Sequence, residues 1–152
     1  MGHEAIVYGV IVGASYRIGE DYRLLQDYNA AIIRKLRTED DWIWLVRSAF
    51  ALPGQYPQGT YRRQIIHFGL SIKDDPSDRG CWDIWFEKFE EVLKRLYWLS
   101  AKVHIETDFE PDRMFIYLPT DESLTDLYAD KPSPISKWRR SVKILDNLPR
   151  DI

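Results

Sequence analysis

Apolar residues near the N-terminus follow two periods, which predict a strand followed by a helix. Residues 4–13 read EAIVYGVIVG, a β-branched run that ends at a glycine and is typical of a largely buried strand. Residues 19–37 carry apolar side chains at helical spacing. Acidic residues occupy the first turn and basic residues the last, as the helix dipole favours. We therefore predict a strand over 4–13 and a helix over 19–37.

The next segments predict a loop and a second strand. Residues 40–50 fit either a strand or a short helix, and residues 51–61 contain two prolines and two glycines typical of a loop. Residues 62–73 read as a strand, with Phe68, Leu70 and Ile72 on one side.

The strongest helical period lies over residues 81–99, which we predict to form one long helix. Its apolar stripe contains Trp82, Trp85, Phe86, Phe89, Leu93, Leu96 and Tyr97.

The last third of the chain predicts a hairpin and two helices. Residues 101–109 alternate cleanly between apolar and polar, and residues 113–118 return as the partner strand after a tight turn. Thr120 is placed to cap a helix over 121–129, and Ser133-Pro134 predicts the start of a final helix that ends near Leu145. We expect residues 146–152 to form a frayed tail.

This order of elements predicts a single α+β domain over residues 1–152. We expect an antiparallel or mixed sheet of four to five strands with long helices packed on one face, because long helices alternate with strands and one hairpin is present. The order of the strands and the oligomeric state stay open.

Composition narrows the class of protein. The chain has 152 residues, of which 45% are hydrophobic and 14% aromatic, which suits one folded domain. A single cysteine, Cys81, excludes an intramolecular disulfide framework. The N-terminal residues lack the basic region of a signal peptide, and no apolar run approaches the length of a membrane span. We therefore expect a cytoplasmic protein with no membrane partner.

The net charge of −3 hides an uneven distribution. Residues 74–130 hold six basic and fifteen acidic residues, whereas residues 131–152 hold six basic and two acidic ones. An acidic block repels phosphate and attracts a basic partner. Lys137, Arg139, Arg140 and Lys143 surround Trp138, but we interpret this segment as a packed helix with outward cations. We therefore predict no nucleic-acid partner.

Motifs for catalysis or cofactor binding are missing from the sequence. No G-x-S-x-G, Walker or dinucleotide-binding motif occurs, and Cys81 adjoins the aromatic stripe, as a buried cysteine would. We expect no cofactor and no enzymatic activity. One alternative stays open: His104, Glu106 and Asp108 share a strand face and could bind a metal or work as an acid–base pair, with His67 joining them from a neighbouring strand.

The aromatic residues exceed what a core of this size needs. Tyr56 and Tyr61 lie in or beside the proline–glycine loop, with Trp42 and Trp44 before it. Since Tyr and Trp are enriched in binding hot spots, these residues are candidates for a partner surface.

Two stretches resemble a known group of proteins. ALPGQYPQGTYRRQIIHFGLSIKDD and WFEKFEEVLKRLYWLSAKVHIETDFEPDRMFIYLPT resemble the small α+β immunity proteins of bacterial polymorphic toxin systems (Rhs, contact-dependent and type VI secreted). The resemblance spans about residues 50–120. It implies a cytoplasmic, non-catalytic antidote that covers the active site of a cognate, basic toxin.

Acidic and aromatic residues would form the toxin-binding surface. Our candidates are Asp74, Asp75, Asp78, Glu106, Asp108, Glu110, Asp112, Tyr56 and Tyr61. Besides the enzyme alternative, a self-associating structural module is a second rival, in which a homo-oligomer forms through the aromatic surface.

Overall fold

The computed structural model describes residues 4–14, 23–52, 63–73, 82–108 and 110–145. Within these residues the chain forms six strands, three α-helices and one 3-10 turn (Arg47–Ala49). The elements are β1 (Glu4–Gly13), α1 (Arg23–Arg34), β2 (Phe50–Ala51), β3 (Ile65–Lys73), α2 (Trp82–Leu93), β4 (Trp98–Thr107), β5 (Arg113–Pro119), α3 (Asp121–Leu127) and β6 (Trp138–Ile144).

The strands form one sheet in the order β2-β3-β1-β4-β5-β6, and every neighbouring pair is antiparallel. The α+β class is therefore confirmed, but the expected four to five strands are too few. The expectation of long helices is also wrong, because the longest described helices have 12 residues.

The hydrophobic core lies on one face of the sheet, beneath the helices. Strand residues on this face include Val7, Phe68 and Tyr117, all at most 4% exposed. Phe89 of α2 packs its ring against Phe68 at 5.0 Å and against Tyr117 at 5.6 Å. The aromatic stripe predicted from the sequence is thus core, and its rings join α2 to β3 and β5.

A buried polar network fixes α1 to the sheet. Asn29 is fully buried, and its Nδ2 donates to Gln64 Oε1 at 3.0 Å and to the carbonyl of Tyr97 at 2.9 Å. Its Oδ1 accepts from the amide of Tyr97 at 2.8 Å. Every polar atom of the Asn29 side chain therefore has a partner, which low-dielectric surroundings require.

Helix α2 ends at Leu93, earlier than the predicted boundary at residue 99. The carbonyl of Leu93 accepts a hydrogen bond from the Trp98 indole at 3.0 Å. This bond satisfies one of the carbonyls that a helix end leaves unpaired. Trp98 itself begins β4, opposite Gly13 of β1, so the chain leaves the helix in order to pair with the sheet.

The predicted final helix, from Ser133-Pro134 to Leu145, is wrong. Residues 138–144 form β6, which pairs with β5 along its whole length. Trp138 packs its ring 6.0 Å from Trp98 and 6.4 Å from Tyr117, so the first residue of this strand is anchored against the core. Pairing with the sheet here overrides a pattern that also fits a helix.

Other expectations from the sequence are confirmed. β1 has the predicted bounds, and β4 and β5 form the predicted hairpin. The hydroxyl of Thr120 caps α3 by accepting from the amide of Ser123 at 3.3 Å. The ambiguous residues 40–50 form neither a full strand nor an α-helix, but an irregular segment that ends in the 3-10 turn and joins β2.

Candidate binding surface on the open face of the sheet

The second face of the sheet, here called the open face, carries the side chains that alternate with the core. None of its residues belongs to the buried hydrophobic cluster, to which all three described helices contribute. Its central part is half-buried or exposed and mixes apolar with polar side chains. The residues of this central part are Ile6, Tyr8, Val10, Val12, Lys102, His104, Glu106, Met114 and Ile116.

Tyr8 lies at the centre of the open face and contacts two residues of β4. It lies directly opposite His104 in the β1–β4 register, and the two rings stack with centroids 5.0 Å apart. The Tyr8 hydroxyl donates to Glu106 Oε1 at 3.1 Å. The phenol ring of Tyr8, the imidazole of His104 and the carboxylate of Glu106 are thereby held together on the central strand pair β1–β4.

The surroundings of Tyr8 keep its hydroxyl protonated. Partial burial, the hydrogen bond to Glu106 and the negative charges of Glu106 and Asp112 all raise the pKa of Tyr8. At neutral pH the hydroxyl is therefore a hydrogen-bond donor. Since 37% of the residue is exposed, the ring is also available for contact.

Gly9 allows the strand pair that holds this cluster. A Cβ at Gly9, on the core side, would overlap the carbonyl oxygen of Lys102 and lie 2.7 Å from Cζ of Phe68. Only glycine permits this close approach of β1 to β4. Gly9 is therefore a packing glycine, and Tyr8 is positioned beside it.

The four predicted acids of the hairpin lie near one end of the sheet. Glu106 is half-buried under Tyr8, and Asp108 and Glu110 are exposed beyond the end of β4. Glu110 lies 3.0 Å from the guanidinium of Arg113, and the carbonyl of Asp112 accepts from the amide of Leu145 at 2.8 Å. Of these acids, Glu106 contacts Tyr8 directly and the charge of Asp112 acts on it, whereas Glu110 pairs with Arg113.

The geometry does not assemble the metal site considered from the sequence. His104 and Glu106 share the open face, but Asp108 lies beyond the last residue of β4. His67 lies on β3, and β1 separates that strand from β4, so His67 does not join them. Within the described parts of the chain, no three His, Cys, Asp or Glu side chains are placed to hold a metal ion.

Other predicted site residues fall elsewhere. Asp74, Asp75, Asp78, Tyr56, Tyr61 and Cys81 lie outside the described residues, as do residues 146–152. Trp42 is 40% exposed, and its indole donates to the carbonyl of Lys73 at 3.2 Å. Trp44 is half-buried.

Sequence reasoning missed two features. The first is Tyr8, which the sequence pattern assigned only to a largely buried strand. The alternation of side chains along β1 in fact places Tyr8 on the open face, away from the helices. The second feature is Lys88, whose Nζ donates to Asp40 Oδ2 at 2.9 Å and to the carbonyls of Ile43 and Asp41 at 2.9 and 3.2 Å. These partners are more than 40 positions away in sequence, so no local pattern reveals them.

The Asp40–Lys88 contact fixes the irregular segment against α2. Burial favours the neutral acid. The hydrogen bonds from Lys88 and from the amides of Leu45 and Asp41 outweigh this effect, so the pKa of Asp40 lies below its ordinary value. The contact borders a cleft of about 430 Å³ between residues 35–37 after α1, the irregular segment and α2. The contact therefore joins the irregular segment to α2.

Comparisons of the chain with protein-family models, curated proteins and solved structures find no significant match. No described helix has both the length and the apolar character needed to cross a membrane.

Proposed function

We propose that this protein is a non-catalytic binding protein that neutralises a basic protein toxin, as the resemblance to immunity proteins implies. The observation that carries the proposal is the Tyr8–His104–Glu106 cluster. It presents a partly exposed ring on a rigid strand pair, outside the helix-covered core. Rigid aromatic side chains lose little entropy on binding and serve as anchors in protein interfaces.

The acids at the neighbouring end of the sheet complement this anchor. Asp108 and Glu110 are exposed there, a few residues after Glu106, which contacts Tyr8. Negative charge at the rim of an interface speeds the approach of a basic partner. The raised pKa of Tyr8 supports a role in hydrogen bonding rather than in proton transfer.

The proposal predicts a toxin gene directly upstream of the gene for this chain, whereas an isolated metabolic operon around it would contradict the proposal. The protein encoded by that neighbouring toxin-like gene is the probe for the binding test. Cells that express that protein should survive only when this chain is co-expressed, and the purified pair should bind. Tyr8→Ala should weaken binding by about 2 kcal/mol or more, mainly through faster dissociation.

A charge reversal separates steering from anchoring. Asp108→Lys with Glu110→Lys should lower the association rate and reduce its dependence on salt. Glu87→Lys with Glu91→Lys, on the outer face of α2, makes the same change of net charge away from the proposed surface. Equal effects of the two double variants, or no binding of the neighbouring toxin-like protein, would contradict the proposal.

A further inference from the structure

The two edges of the sheet are protected to different degrees. At one edge, β2 has only two residues, and the Trp42 indole bonds to the carbonyl of Lys73 at the end of β3. At the other edge, β6 runs for seven residues, and no described strand pairs with its outer side. Long open edges are rare in soluble proteins because they template strand pairing.

The hydrogen bonds at both ends of β6 define which backbone groups point outward. The carbonyl of Lys137 accepts from Thr120, and the amide of Leu145 donates to Asp112, so odd-numbered residues bond to β5. In an antiparallel pair the residues between them direct their N–H and C=O groups away. Trp138, Arg140, Val142 and Ile144 therefore present their backbone groups to a further strand.

The side chains of β6 specify what that strand should contain. Arg139 and Lys143 are exposed on the open face, and neither has an ion-pair partner among the described residues. Val142 and Ile144, on the other face, are 55% and 65% exposed. Arg140, by contrast, has an ion-pair partner, because its Nη1 lies 3.4 Å from Oε2 of Glu90.

We propose that β6 binds an extended segment of a partner protein in which acidic residues alternate with apolar ones. Acids on one side would face Arg139 and Lys143, and apolar side chains on the other would cover Val142 and Ile144. A second copy of β6 fits less well. Antiparallel self-pairing along the full edge sets Arg139 opposite Lys143, and like charges directly opposite each other destabilise a sheet.

This inference does not rest on the proposed function, and its test uses no toxin. The probe is a fluorescent synthetic peptide of the length of β6 in which glutamate alternates with valine, titrated with the whole protein. A peptide with lysine in place of glutamate and a peptide of the same composition in two blocks serve as controls. We expect binding of the alternating acidic peptide alone, with an affinity that falls as salt rises.

Val142→Pro is the decisive variant. Its N–H points away from β5, so proline removes an outward donor and no bond within the sheet, and edge strands tolerate such prolines. Val142→Pro should weaken peptide binding at least about tenfold while the unfolding midpoint stays near that of Val142→Thr, which keeps the N–H. Arg139→Glu with Lys143→Glu should transfer the preference to the lysine peptide.

Three results would overturn the inference. One is equal binding of the acidic peptide to Val142→Pro and Val142→Thr. Another is equal affinity of wild type for the acidic and lysine peptides. The third is dimerisation of wild type that Val142→Pro abolishes, which would make a second copy the occupant of the edge.

Discussion

Removing the side-chain amide of Asn29 gives the sharpest test of the polar network that fixes α1. In Asn29→Ala, the amide of Tyr97 and Oε1 of Gln64 lose the partners described for them, whereas the carbonyl of Tyr97 keeps its bond from Ala14 at 2.9 Å. Each buried group left unpaired costs about 1–3 kcal/mol. We therefore expect a loss of about 2–6 kcal/mol in the free energy of unfolding.

Urea unfolding followed by tryptophan fluorescence measures this loss. With a slope of about 2 kcal/mol per molar urea, the midpoint should fall by about 1–3 M at unchanged slope. A fall of less than about 0.3 M would refute the reasoning, because the network would then contribute no more than an ordinary surface site.

Asn29→Asp is the matched control. It keeps the acceptor for the Tyr97 amide but places a carboxylate against two oxygens, so the pKa of the new acid should be raised in the folded protein. A raised acid pKa means that the folded state holds the proton more strongly. The defect of Asn29→Asp should therefore shrink as the pH falls, and that of Asn29→Ala should not.

Three further substitutions test other parts of the fold by urea unfolding. Phe89→Ala should cost about 3–5 kcal/mol, against less than about 1 kcal/mol for the 46%-exposed Ile84→Ala, and similar losses would contradict the packing described. Gly9→Ala should lower the free energy of unfolding by about 3 kcal/mol or more. Gly69→Ala should be nearly neutral, because its Cβ would lie 3.5 Å from the nearest atom. The reverse order would contradict the close approach of β1 to β4. The pKa of Asp40 is lowered on folding, so its contribution to stability is present above about pH 4 and is lost as the pH falls through the folded pKa. Asp40→Asn should therefore flatten the decrease in unfolding free energy at acid pH. An unchanged decrease would contradict this.

Local sequence patterns correctly predicted those elements whose contacts in the fold match the period of their own apolar residues. β1, the β4–β5 hairpin and the Thr120 cap all follow from alternation or capping chemistry within a few residues. β6 could not be predicted, because Ser-Pro followed by mixed apolar and basic residues fits a helix as well as a strand. Only the free edge of β5 and the ring of Trp138 decide between them.

The candidate surface was predictable only in part. Alternation correctly placed His104 and Glu106 on one side of β4. The contact of both residues with Tyr8 depends on the order of the strands, which no local pattern encodes. The Asp40–Lys88 contact could not be predicted for the same reason, since it joins segments that are remote in sequence.

The central position of β1 sets the order of events during synthesis. β1 leaves the ribosome before all other described strands, yet its partners are β3, where Ile72 pairs with Ala5, and β4, where Thr107 pairs with Ala5 from the other side. Contacts so distant in sequence are slow to form. One edge of β1 therefore stays unpaired until β4 emerges, even after β3 has been made, and a nascent chain stalled before that point would expose this edge to chaperones or to aggregation.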